Sequence, residues 1–199
     1  MTPKQTERLR LKIANIKKVL AGEKRKFGGY DDSRGLRYLP TRYFVQLADY
    51  VGGLAYTKWF AKNFPEDAGF PDFLFEWTII LYKAGQSRQA GHKAFETFCS
   101  NTYVLDKFFE RPIIHVDKWE GSNLENPSFL EYFQYNYKQP GLEDFAGWLQ
   151  SFLSTDEFTQ AASRFVELSK ALHNEDDIEK RSYLVKQISQ LEKGNTFIT

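Results

Sequence analysis

The sequence predicts an all-α protein, and three observations carry that prediction. Apolar residues recur every three or four positions along most of the chain. Helix-start signatures precede several of these stripes. No run alternates apolar and polar residues with the period of two that a half-buried strand needs. At 199 residues the chain suits one domain, or one domain with an appended subdomain, and can bury a core without disulfides or metals. Aromatic residues make up 17%, and a share that large, led by Phe and Tyr, rules against disorder.

Thr2, Pro3 and Gln5 open the first helix as N-cap, first-turn proline and capping-box partner. Leu9, Ile13, Ile16 and Leu20 then form one apolar stripe, and Gly22 lies near the expected end. Phe27 to Ser33 reads as a turn-rich connector, in which Asp31 and Asp32 stabilise the turn or hold a cation. Helical spacing resumes from Leu36 to Asn63, with a break around Ala48–Gly53. Pro40 moves the start of that unit to about Thr41. Pro65, Gly69 and Pro71 end it. A further helix is expected from about Asp72 to Tyr82, an interruption at Gly85, and another helix from about Arg88 to Asn101.

Residues 111–127 read as a long loop, and a segment of that length without helical period is often functional. Ser128 to Glu131 has a capping-box pattern before a short aromatic helix stopped by Pro140 and Gly141. Leu142, Phe145, Leu149 and Phe152 make another stripe. Ser154 to Glu157 is a further capping box, ahead of Phe158, Ala161, Ala162, Phe165, Ser169 and Leu172. Asn174 is expected to cap the last helix, along which Leu184, Ile188 and Leu191 align until Gly194.

Compared with itself, the chain pairs Ala48 with Gly85 and Gly53 with Ala90 at an offset of about 37 residues, in the range of helical-array repeats. Leu47–Tyr56 with Trp59, Phe60, Ala61 and Pro65 forms one copy; Leu81–Ala90 with Ala94, Phe95 and Phe98 forms the other. Small residues at a bend and early in the following helix let two antiparallel helices approach closely. This pattern resembles two degenerate tetratricopeptide repeats over roughly residues 36–101, with the closing Pro present only in the first. The resemblance implies antiparallel helical hairpins in a short right-handed array with capping helices at both ends, since two repeats need neighbours to cover their apolar faces. The expected organisation is a basic amphipathic helix (1–27), the hairpins (28–110), the loop (111–127) and a C-terminal helical region packing on the array (128–199).

Little points to catalysis or a cofactor. Phosphate-loop, dinucleotide and nucleophile-elbow motifs are absent. His92, His115 and His173 form no metal-ligand spacing, and His92 reads as a surface imidazole. Cys99, the only cysteine, reads as core packing and excludes an internal disulfide, which suits a reducing, cytoplasmic setting. No signal peptide or membrane span is legible. The densest polar cluster, around His115, Asp117 and Ser122, is either a weak enzymatic candidate or a binding loop with Trp119 as its apolar anchor or as a plug over the core.

Two binding readings remain. The repeat resemblance implies a protein-interaction module whose groove would be lined by Tyr38, Arg42, Gln46, Asp72, Phe75, Tyr82 and Lys83. The aromatics among these equally suit core positions. Net charge is +1, yet residues 1–26 hold Lys4, Arg8, Arg10, Lys12, Lys17, Lys18, Lys24, Arg25 and Lys26 against Glu7 and Glu23 alone. That helix is either a solvated face packing on acidic helices or a footprint for nucleic acid through Lys17, Lys18, Lys24, Arg25 and Lys26.

Overall fold

The computed structural model describes residues 1–30 and 34–193, and among these the secondary structure is helical throughout, with nine α-helices, two 3-10 turns and no strand. Asp31, Asp32 and Gly194 lie outside the described residues. The chain forms two compact units, Met1–Gln86 and Ser87–Thr199.

The first unit opens with α1 (Pro3–Phe27), whose Thr2–Gln5 capping box forms as its sequence requires. Ile13, Ile16 and Leu20 are buried. Gly22 does not end this helix: it continues to Phe27, and Gly28 closes it in the left-handed region at φ 74°. A 3-10 turn, Leu36–Tyr38, runs into α2 (Leu39–Leu47). Pro40 does not delay that start to Thr41. It sits in the first turn, where its missing N–H removes no helical hydrogen bond. Ala48 turns the chain in the left-handed region at φ 51°, and Asp49 caps α3 (Tyr50–Asn63) by accepting the Gly52 N–H at 2.9 Å. Pro71 itself opens α4 (Pro71–Lys83) in the first turn.

These helices share an aromatic centre. Phe60, Phe73 and Leu74 are buried, with Tyr38, Trp59, Phe64 and Trp77 packed around them; Phe60 and Phe73 stand 4.6 Å apart. α4 packs on both α2 and α3, while α1 packs on α2. A buried carboxylate fastens α4 to α2. Glu76 is 1% exposed, and its oxygens accept from the Thr41 hydroxyl at 2.6 Å and from Arg42 Nε at 3.1 Å. Arg42 also donates to Asp72 at 2.5 Å. Glu76 is thus taken from water with its partners already placed, which is the condition for a buried charge to be tolerated.

In the second unit α5 (Ser87–Ser100) and α6 (Val104–Phe108) precede the long loop. Ser128 does not cap a helix here. Asn126 accepts the Ser128 N–H, and Pro127 starts a 3-10 turn that ends at Glu131, well short of Pro140. Then come α7 (Glu143–Leu153), α8 (Asp156–His173) and α9 (Ile178–Lys193). Thr155, not Ser154, caps α8 through the Phe158 N–H. Asn174 closes α8 rather than opening α9, donating its amide to the Lys170 carbonyl at 3.0 Å. Asp177 serves α9 instead, accepting from the Lys180 N–H at 2.9 Å. Phe98 meets Phe158 and Phe165 edge to face, so α5 and α8 join through rings.

The loop is held by side chains of its own unit. Buried Asn101 donates to the carbonyls of Leu124 and Asn126. The Tyr103 hydroxyl accepts the Val116 N–H, and the Trp119 N–H reaches the Ser169 carbonyl at 3.0 Å. No helix among the described residues is long and apolar enough to cross a membrane.

Gly53 faces α4 so closely that a Cβ there would lie 3.0–3.2 Å from three carbons of Ile80. Gly53→Val should therefore lower stability by about 1–3 kcal/mol, the usual penalty of overpacking, read as a shift of the urea midpoint. An unchanged midpoint would show that α3 and α4 have slack.

Candidate functional site

Where α1 passes α3 a cavity of about 660 Å³ remains, lined by Lys17, Ala21, Lys24 and Arg25 of α1, by Tyr30, and by Tyr56 and Trp59 of α3. Both helices present these residues on one face: steps of four, three and one along α1, and of three along α3. The volume falls in the range of small-ligand and side-chain pockets.

The rings form a strip. Lys17 Nζ stands 5.7 Å from the Tyr56 ring centre, Tyr56 is 5.2 Å from Trp59, Trp59 is 5.7 Å from Tyr30, and Lys24 Nζ is 5.0 Å from Tyr30. A cation thus closes each end of an aromatic row. Asn63 fixes the Lys24 end: its Oδ1 accepts from both Lys24 Nζ and the Tyr30 hydroxyl at 3.0 Å, and its Nδ2 donates to the Trp59 carbonyl at 2.7 Å. At the other end the Tyr56 hydroxyl donates to the Arg37 carbonyl at 2.6 Å, which locks that ring. Among the described residues Lys17 and Arg25 have no acidic partner. The lining residues bring no carboxylate, imidazole, aliphatic hydroxyl or thiol. Such a site can attract negative charge and receive apolar surface.

The groove positions are largely engaged within the chain. The Tyr38 hydroxyl donates to Asp67 at 2.7 Å and accepts from Arg37. Arg42 bridges Asp72 and Glu76. Phe75 is fully buried. Tyr82 is half-buried, and Lys83 lies over Tyr50. Gln46 alone of the seven is exposed. The fold therefore joins Arg42 with Asp72, but uses Tyr38, Arg42 and Phe75 to hold the unit together.

In the 115–123 loop His115, Asp117 and Ser122 each turn to a different neighbour. His115 stacks beside Tyr103, Asp117 lies 3.4 Å from His173, and Ser122 turns to Glu125. Trp119 is 41% exposed with the Arg181 guanidinium over its ring at 4.8 Å. His92 is half-buried, with Nε2 3.0 Å from Glu96, rather than at the surface. Burial pushes the Cys99 thiol well up, and the nearby Glu192 and Glu96 carboxylates add to this; a buried, protonated thiol is a poor nucleophile. Among the described residues no three His, Cys, Asp or Glu side chains group closely enough to hold a metal ion.

Sequence reasoning named Lys17, Lys24 and Arg25 but missed Tyr30, Tyr56 and Trp59. The signal was present as Tyr56, Trp59 and Asn63 on one face of a helix, beside a basic helix of matching period. Compared with protein-family models, with curated proteins and with solved structures, the chain matches none.

Two outcomes follow for the groove residues. Arg42→Ala leaves Glu76 buried without its cation and should destabilise the protein by about 3 kcal/mol, the lower end for a broken buried pair because a quarter of Arg42 meets water. Chemical denaturation at neutral pH checks this. Burial, with the hydrogen bond to Asp67 and its charge, raises the Tyr38 phenol above its ordinary value. Its contribution is complete below the unfolded value of about 10 and is lost as pH rises from there towards the folded value. Tyr38→Phe should flatten the fall in urea midpoint at alkaline pH; an identical slope in both proteins would assign that fall to other groups.

Proposed function

We propose that this chain is a protein-interaction module that captures an anionic segment of a partner at the α1–α3 cavity. The observation that carries the reading is the aromatic strip closed by Lys17 at one end and by Lys24 and Arg25 at the other. Lys17 and Arg25, without acidic partners among the described residues, favour negative charge, and the half-buried rings of Trp59 and Tyr30 favour apolar contact, so the two together select a mixed ligand. The tetratricopeptide-like reading of the hairpins supports an adaptor. Ala48 makes the bend and Gly53 the close approach that such hairpins need. On this reading the contact site moves from the concave groove, whose residues are engaged, to the face shared with α1. The single cysteine supports a reducing, cytoplasmic setting.

A second reading has its own observation. Lys4, Arg8, Arg10, Lys12, Lys17, Lys18, Lys24, Arg25 and Lys26 all project from α1 as exposed side chains, as a nucleic-acid contact would require. It predicts that binding draws on cations far from the cavity, such as Lys4 and Arg8, as strongly as on Lys24.

Titration with polyglutamate, followed by tryptophan fluorescence, tests the first reading. We expect saturable binding that weakens steeply with salt and falls at least about tenfold in the Lys17→Gln, Lys24→Gln, Arg25→Gln triple variant. Binding that the triple variant leaves intact would remove the cavity from the account. Equal losses from changing Lys4 and Arg8 would favour the nucleic-acid reading.

A further inference from the structure

Resting on that reading, we infer that the occupant of the cavity is a short acidic peptide segment carrying one aromatic side chain between its carboxylates. The order of groups along the strip makes the argument. Lys17, Tyr56, Trp59, Tyr30 and Lys24 follow one another with ring and cation separations of 5.0–5.7 Å. Lys17 and Lys24 are seven residues apart on α1, which is about 10.5 Å of helix rise. A complementary ligand therefore needs negative charge at both ends of a span near that length and apolar bulk between.

A mononucleotide or a fatty acid concentrates its charge at one end and satisfies only one of the two poles. The walls of the cavity bring side chains rather than the cradle of backbone N–H groups that a phosphate site uses. The rings themselves narrow the choice further. Tyr56 is buried, so Trp59 and Tyr30 are the rings a ligand reaches; they stand at 83° to each other, and no parallel slot invites a base to intercalate. One more ring placed edge to face continues the existing pattern. The Trp59 indole N–H, which has no partner among the described residues, is a donor that a peptide carbonyl or carboxylate can take.

Fluorescence anisotropy with the full chain tests this. The probe is a labelled peptide with one central phenylalanine and two acidic residues on either side. Three controls accompany it: the same peptide with alanine at the centre, polyglutamate, and a single-stranded oligonucleotide of equal charge. We expect the phenylalanine peptide to bind at least roughly tenfold tighter than its alanine version, and both to weaken with salt. Ala21→Trp, at an exposed position on the cavity wall, should abolish the phenylalanine preference by filling the space, with circular dichroism confirming an unchanged fold. Equal affinity for the two peptides would overturn the aromatic anchor while leaving the anionic site standing. Binding of the phenylalanine peptide that Ala21→Trp does not alter would place the anchor elsewhere. Oligonucleotide binding tighter than either peptide would overturn the proposal and the reading beneath it together.

Discussion

The first unit depends on keeping one carboxylate, that of Glu76, out of water. A buried anion is tolerated only when its acceptor capacity is filled by donors already in place. Thr41 and Arg42 supply them from α2, and Arg42 in turn must satisfy Asp72. The requirement fixes the register of α2 against α4, because moving either helix by one residue would strand a charge. It also commits the side chains that a concave groove would otherwise offer to a ligand. Tyr38 is drawn into a parallel arrangement with Arg37 and Asp67. These side chains are thus organised for cohesion between α2 and α4.

The side where α1 passes α3 is open for a related reason. α1 buries only Ile13, Ile16 and Leu20, a narrow stripe that seals against α2. Its next row, Lys17, Ala21 and Lys24, meets α3 with long cationic stems and one methyl group. Such stems lie along apolar surface while their charged ends stay in water, as Lys17 does over Phe44 and Tyr56. Ala21 is too small to fill the gap between them. The cavity is the space left when a helix has cations where a fully packed helix would have Leu.

Local signals in the sequence were legible wherever a single segment decides the outcome. The Thr2–Gln5 box, the Ala48 bend and the α7 and α8 stripes all involve neighbours within a turn or two. The misplacements came where two local rules compete. At Asn126-Pro127-Ser128, proline's fixed φ moved the start one residue ahead of the expected serine cap, and the turn closed as 3-10. At Asn174 a residue good at both helix ends closed the earlier helix. Arg42 and Tyr38 were legible as polar residues on a helix face, but their partners stand 29 to 34 positions away, and no period announces a pairing of that range. The cavity's aromatics were hidden for the opposite reason. Tyr56, 2% exposed, is the core residue its spacing suggests, and Trp59 and Tyr30 are the rings left partly uncovered beside Ala21.

The long loop shows the same contest between order and function in the second unit. Without a helix, its backbone groups need outside partners, and α5 to α8 provide them through Asn101, Tyr103 and the Ser169 carbonyl. Lys118 is buried beside Glu120 and over the Tyr103 ring, so the centre of the loop is anchored by a paired charge. A mobile lid would leave these groups to water. The loop instead behaves as an irregular wall of its unit, and Arg181, bonded to the Leu172 and Glu175 carbonyls, stacks on Trp119 to finish it. Diversity of functional groups in that stretch matches the varied partners an irregular backbone must find.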